Sequence, residues 1–319
     1  MLPARRPHSQ ANEFTATERS TSTSQPPPKS TIMLNLREVY READTSPFGA
    51  DNVTDSLAML YHENSKFNRF SQRRLGEKIN AFYSPYLTQR SSQPYKCYPN
   101  AKRIDLTPYR AIKPTAARYY DLLAGRTSVR DYDPNYQISL PELTVLLHQA
   151  YGVTRKAKIE TEGVDGHVGF RNIPSPGGLY PLEVYVVCLR SQNDPGLYHF
   201  RPDECSLEIL ETGDHMEDLR RMIYAEPYIN LPNSGVVVIT TGIIERMSIK
   251  YGERGYRFML HESGFLAMTM SLIAESLGLG SCMVGGYRDD EINQFLDVDG
   301  VFETVQNILI IGKKPACQL

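Results

Sequence analysis

The sequence predicts a fold in which helices pack around a β-sheet, on three observations. Ser139 followed by Glu142 is a capping box, and Leu143, Leu146, Leu147 and Ala150 then fall on one helical face before Gly152 closes it. A second helix, from about Tyr256 to Leu277, is apolar almost all round (Phe258, Phe265, Met268, Leu272, Ile273, Leu277), which puts it inside the molecule or at a subunit interface. Short runs rich in Val, Ile and Tyr, separated by turn residues, read as strands.

Taken in order, residues 1–30 are Ser, Thr, Gln and Pro with almost no apolar content, including Pro26, Pro27 and Pro28, and are expected to be a disordered tail. Residues 31–114 hold aromatics and short helical patterns interrupted at Pro85, Pro94, Pro99, Pro108 and Pro114, as an accessory N-terminal region does. The main domain is expected over residues 115–315. It opens with a helical pattern from Ala116 to Ala124. Leu182 to Leu189 is a strand, and Gly196 to Phe200 with Ser206 to Leu210 a hairpin. Gly235 to Thr241 is a continuous apolar run, typical of a strand covered on both faces. Asn307 to Ile311 forms a last buried strand ending at Gly312.

With 319 residues, 41% of them hydrophobic, the chain buries a substantial core. Its 35 Lys plus Arg against 37 Asp plus Glu leave no global positive field to hold nucleic acid or an anionic membrane. Any anion site is therefore local. The five cysteines (Cys97, Cys188, Cys205, Cys282, Cys317) are odd in number and never spaced C-x-x-C, against both a disulfide framework and a zinc site. No apolar run approaches the roughly 20 residues of a membrane helix, and the N-terminus is polar where a signal peptide is apolar, so a cytoplasmic protein is expected. The histidines show no H-E-x-x-H or paired-ligand spacing, and no nucleophile elbow or phosphate loop of the G-x-x-x-x-G-K-[ST] kind occurs.

Four stretches carry candidate chemistry. In Gly125-Arg126-Thr127-Ser128-Val129-Arg130, two guanidiniums flank a hydroxyl and offer fork-shaped donors for phosphate or the carbonyl edge of a flavin; alone, so short a string reads as a hydrated basic loop. Pro174-Ser175-Pro176-Gly177-Gly178-Leu179-Tyr180-Pro181 is rigid at its prolines and bare at its glycines, so its main chain can approach a flat ring closely, or simply turn before the strand. Lys250-Tyr251 provides two proton carriers, each useful as a base only after its pKa is lowered; otherwise Lys250 to Arg257 is an exposed amphipathic turn. Gly278 to Arg288 and Gly312-Lys313-Lys314 offer N–H groups and cations to a phosphate, but in helix-to-strand order, which excludes a dinucleotide fingerprint. Glu262, set among apolar neighbours, is a candidate to pair with Arg257 or Arg254.

Together these stretches resemble nitroreductase-like flavoproteins of the SagB, or azoline dehydrogenase, type. Arg126-Thr127-Ser128-Val129-Arg130 is similar to the R-x-S-x-R signature, and Pro174 to Glu183 to the more specific string P-S-[AP]-G-G-x-x-P-x-E. Leu60 to Lys66 resembles the Y-H-E-x-[ST]-K segment of those proteins. Lys250-Tyr251 stands where azoline dehydrogenases carry a Lys-Tyr pair implicated in catalysis, and Gly252 to Phe258 continues the family's run. The resemblance spans about Leu57 to Lys314. The chain departs from it at Gly264-Phe265 and Thr269, where members often have Gly-His followed by Gln-Asn.

This resemblance implies an α+β fold, a mixed and mostly antiparallel sheet surrounded by helices with a long buried central helix, in a homodimer holding one FMN in each subunit interface. Arg126, Thr127, Ser128 and Arg130 would hold the phosphate, ribityl chain and pyrimidine edge. Pro174, Ser175, Pro176, Gly177, Gly178 and Leu179 would line the ring, and Gly285, Gly286 and Lys313 complete the phosphate end. The implied reaction removes two hydrogens from a peptide-borne thiazoline or oxazoline, giving the azole, with oxygen reoxidising the flavin and Lys250 and Tyr251 moving the proton. The N-terminal region would contact a leader peptide or a cyclodehydratase partner. Two other readings stay open: an NAD(P)H-fed nitro- or quinone reductase, and a flavin-binding scaffold without turnover.

Overall fold

The computed structural model describes residues 57–66, 69–113 and 118–315; the expected disordered tail, residues 1–30, lies outside them. The chain divides into two units, residues 1–63 and 64–319. Of the first, residues 57–63 are described and belong to helix α1 (Leu57–Asn64).

The second unit begins with α2 (Arg69–Phe82), α3 (Pro85–Ser92), β1 (Lys102–Asp105), α4 (Tyr119–Gly125) and α5 (Leu140–Tyr151). A two-stranded hairpin follows, β2 (Val153–Lys158) with β3 (His167–Arg171). Next come β4 (Leu182–Cys188), β5 (Gly196–Arg201), β6 (Ser206–Thr212), α6 (Met216–Met222), β7 (Val236–Ile243), α7 (Ile244–Tyr251) and α8 (Arg254–Ser276). The order ends with β8 (Leu279–Val284), α9 (Asp289–Phe295) and β9 (Glu303–Lys313).

Seven strands form one sheet in the order β1-β6-β5-β4-β7-β9-β8. All its strand pairs are antiparallel. Parallel pairing is confined to isolated bridges, Ser128 with Ser281 and Ile138 with Ser191. The α+β expectation holds, and the part of the accessory region in β1 is an edge strand of this same sheet.

The continuous apolar run of β7 follows from burial on both faces. Val236 and Val238 point into the core shared with α5 and α8, whereas Val237 and Ile239 point into the core shared with α6 and α9. Helix α5 starts where the sequence says: the Ser139 hydroxyl accepts from the Glu142 N–H while the Glu142 carboxylate accepts from the Ser139 N–H. The central helix α8 runs 23 residues, with Met259, Glu262, Leu266 and Met270 buried. Its outer side is a stripe of Leu260, Phe265 and Met268, 42–44% exposed. Among the described residues, no helix is long and apolar enough to cross a membrane.

A buried polar seam attaches the segment before β1 to the sheet. The His199 imidazole lies 3.0 Å from Glu183 and 2.9 Å from Glu208. Burial alone would raise the Glu183 carboxyl, yet Arg246 and His199 outweigh it and hold it down at about 2. Burial likewise opposes the charge on His199, but hydrogen bonds to both carboxylates keep its pKa raised. The main chain of Lys96 and Tyr98 donates to Glu183 and Glu208, and the Lys96 ammonium meets Glu303 at 2.8 Å. A buried charge left single costs several kcal/mol, so this pairing forces residues 94–98 onto the sheet.

Candidate functional site

The Pro-Gly-Gly loop enters β4 through a single 3-10 turn, Pro176–Gly178. Gly177 and Gly178 have φ of 66° and 67°, the left-handed region that costs other residues about 1–2 kcal/mol. Gly177 has a second reason to lack a side chain. A Cβ there would stand 2.6 Å from the Tyr251 hydroxyl and 3.0 Å from the Lys250 Nζ. The loop's main chain thus lies directly against the Lys-Tyr pair, two stretches separated by some 70 residues of sequence.

Lys250 sits in the last turn of α7, which Gly252 ends with φ of 57°. It is 7% exposed, so Lys250-Tyr251 is not the hydrated turn that is the alternative from sequence. The Nζ lies 4.5 Å from the Phe82 ring centre, 5.4 Å from that of Tyr83 and 5.6 Å from that of Tyr251. Desolvation lowers its pKa. Tyr251 stands edge-on to Phe258 at 5.1 Å, and desolvation, with Tyr83, raises its pKa. Burial thus loosens the proton of the lysine and tightens that of the tyrosine, which keeps its proton at neutral pH.

Behind the loop, the Ser175 hydroxyl accepts from the Tyr180 N–H at 2.9 Å. Glu262 of α8, fully buried, lies 3.2 Å from the Tyr151 hydroxyl. Burial pushes its carboxyl up to about 7, against the opposing influence of Ser175, Arg171, Tyr151 and Arg246. The cations acting on it come from β3 and α7, in place of the Arg254 and Arg257 that sequence proximity suggested. Arg246 also donates to the Tyr180 carbonyl at 3.2 Å and pairs with Glu183 at 2.6 Å, so one guanidinium links α7, the loop and β4.

The R-x-S-x-R stretch lies elsewhere. Arg126 caps α4, Ser128 bridges Ser281, and the Val129 side chain fills the space a Cβ at Gly280 would take, 2.6 Å away. Thr127 is exposed, and Arg130 contacts the Ser128 carbonyl at 3.2 Å. Lys313 ends β9 beside them: its carbonyl accepts from Asp133, and its ammonium lies 4.9 Å from the Tyr136 ring centre and 3.4 Å from a Cβ built on Gly278. Among the described residues, neither Arg126, Arg130 nor Lys313 takes part in an ion pair. Among the described residues, this end of the sheet therefore gathers three cations outside any ion pair.

The register separates the two groups. The loop and α7 adjoin the end where Leu182 faces Gly242 and Gly242 faces Thr304, whereas Lys313 faces Leu279 at the other end. From Thr304 to Lys313, at roughly 3.3 Å per residue, is about 30 Å. Gly285 and Gly286 follow the far end of β8, with open space at Gly285 and Tyr224 against Gly286. They do not join Lys313 within one chain. Sequence reasoning missed Phe82, Tyr83, Tyr151, Arg171 and Arg246, which reach the site from segments distant along the chain and carry no local motif.

A model of the nitroreductase family matches residues 123–313. MJ1384 of Methanocaldococcus jannaschii, named as a nitroreductase, is 32% identical over 179 residues, 56% of this chain and 83% of that protein. The microcin B17-processing protein McbC of Escherichia coli is 30% identical over 135 residues, 40% of this chain. A solved structure named as a nitroreductase, from Anabaena variabilis, superposes with a TM-score of 0.61 at 25% identity, over 82% of this chain. The chain spans about half the length of those last two proteins, 49% and 48%.

Proposed function

The chain belongs to the nitroreductase family of oxidoreductases, and from that premise we propose that it binds FMN and dehydrogenates a peptide-borne azoline to the azole. The observation that carries this reading is the Lys250 amine, buried with no carboxylate partner among the described residues and set against the main chain of the Pro-Gly-Gly turn. Burial loosens the proton of a lysine held this way, which is the change a lysine base requires.

The residues present fit a flavin on two counts. Open space adjoins Gly285, where main chain is bare to a flat ring, and Arg126, Arg130 and Lys313, which take part in no ion pair among the described residues, are suited to a phosphate. In this reading Arg126, Thr127, Ser128, Arg130 and Lys313 hold the phosphate and ribityl chain, while Pro174 to Leu179, Gly285 and Gly286 border the ring. FMN, when bound, supplies the acceptor for a hydride. Lys250 takes the acidic proton from the azoline carbon beside the peptide carbonyl. Tyr251, still protonated, steers the substrate through its hydroxyl. The likeness to a protein that processes microcin B17 favours a modified peptide over a free small molecule. Such a substrate has to be made by a cyclodehydratase, which is the partner class this reading calls for.

Two features support a homodimer. The cation group and the loop group lie at opposite ends of the central strands, farther apart than one FMN reaches, so a complete site takes each from a different copy. Leu260, Phe265 and Met268 form an apolar exposed stripe on α8 of the kind that subunits cover.

Turnover of a thiazoline peptide tests the reading. Lys250→Ala is expected to lower kcat by about 10²- to 10⁴-fold, and Tyr251→Phe by less, with FMN still bound in both. Unchanged turnover in Lys250→Ala removes the base and the reading with it. Rapid anaerobic bleaching of the flavin by NADPH would instead favour a nitro- or quinone reductase.

A further inference from the structure

The family match begins at residue 123, yet the nearest aromatic ring to the Lys250 amine comes from residue 82. Phe82, the last residue of α2, is buried in a small core of its own with Leu179 of the loop and Met247 of α7, separate from the two cores flanking the sheet. Tyr83 follows it, its ring at 81° to that of Phe82, and also faces the amine. One turn earlier, the Lys78 ammonium reaches to 3.1 Å from a Cβ built on Gly252. Helix α2 thus packs along the end of α7 that carries Lys250. A chain lacking it would leave that amine open to water.

We propose that α2 is part of this site, Phe82 and Tyr83 acting as positioning residues that hold the Lys250 amine against the Gly177 turn. The inference rests on the reading of Lys250 as the base. Two ring faces within cation–π range fix where the ammonium sits when charged, and the same rings exclude water when it is neutral. Among the described residues, the titratable groups facing it are Tyr83 from α2 and Tyr251 from α7, with Lys78 of α2 beside Gly252, and no carboxylate is paired with it. Its state therefore depends on burial, to which the Phe82 and Tyr83 rings contribute from 4.5 and 5.4 Å.

The test is the pH dependence of Lys250 acetylation in the full-length FMN-loaded protein, pulsed with acetic anhydride and read by peptide mass spectrometry. In wild type, the pH of half-labelling is expected below that of the surface lysines of the same sample. Phe82→Ala should raise it by about one unit and Tyr83→Ala by about half a unit, as water reaches the amine. The pH profile of kcat should move the same way. Phe82→Tyr should restore the wild-type curve, because a cavity of about 300 Å³ adjoins Phe82 and has room for the hydroxyl. Tyr83 is 58% exposed, so its variant folds even where Phe82→Ala does not. An unmoved labelling curve in a folded, FMN-bound Tyr83→Ala and Phe82→Ala overturns the proposal. Should Lys250→Ala keep full turnover, the catalytic reading falls instead, while the labelling curve still decides whether α2 governs the amine.

Discussion

Burial moves two side chains of the site in opposite directions, because it penalises whichever form is charged. It pulls the Lys250 ammonium toward the neutral amine and pushes the Glu262 carboxyl up to about 7. The first change is the one that the proposed base role of Lys250 requires. The second makes the fold sensitive to pH, since Glu262 lies behind Ser175 and the loop. Its folded pKa stands above the ordinary 4.5, so its contribution to stability is complete below that value and is lost as pH rises through about 7. The span is worth on the order of 3 kcal/mol. Urea unfolding of wild type and Glu262→Gln from about pH 5 to pH 8 is expected to show the wild type losing ground to the variant by that amount. Parallel curves would mean that Glu262 is neutral, or charged, throughout.

At the scale of the element, the Pro-Gly-Gly turn combines backbone strain with contact, and substitution separates them. Gly177→Ala and Gly178→Ala carry the same left-handed strain, about 1–2 kcal/mol each. Only at Gly177 does the added Cβ meet Lys250 and Tyr251; at Gly178 the nearest atom is on Phe170, at an ordinary 3.6 Å. The two variants should therefore lose similar stability, while Gly177→Ala loses far more turnover. Tyr251→Phe added to Gly177→Ala relieves the closest contact and should recover part of the lost stability. Equal turnover in the two glycine variants would uncouple the loop from the Lys-Tyr pair. Elements also differ in how openly the sequence announces them. The capping box and one-faced leucines of α5 make it legible, whereas α7 is eight residues long with Ile243 as an N-cap that makes no side-chain bond. Nothing marks its start, and so Lys250 reads as the middle of a turn. The hairpin strand β2, Val-Thr-Arg-Lys-Ala-Lys, is exposed after its first residue and offers no apolar alternation.

For the whole molecule, the decisive feature is the length of the central antiparallel strands. They hold the loop group and the cation group about 30 Å apart, so the FMN site we propose calls for two copies. Complementation in trans follows. Lys250→Ala and Arg130→Ala proteins, each inactive alone, should regain roughly a quarter of wild-type activity when co-refolded in equal amounts: half the dimers are mixed, and each holds one intact site of two. No recovery from a mixture shown to exchange subunits would mean that the site is built within one chain. The stripe of Leu260, Phe265 and Met268 supplies the surface for such a pairing.

By itself the sequence determined the α5 cap, the strands β4, β5, β6, β7 and β9, the buried central helix and the residue types of the site, because those follow from local periodicity and backbone freedom. Tertiary structure alone decided which of these residues meet. That Gly177 touches Tyr251, that Phe82 faces Lys250, that Glu262 answers to Arg171 and Arg246, and that Lys313 stands a strand's length from Gly242 are consequences of register and packing between distant segments. Desolvation, which sets the protonation of Lys250 and Glu262, comes from those long-range neighbours and has no signature in the residues beside them.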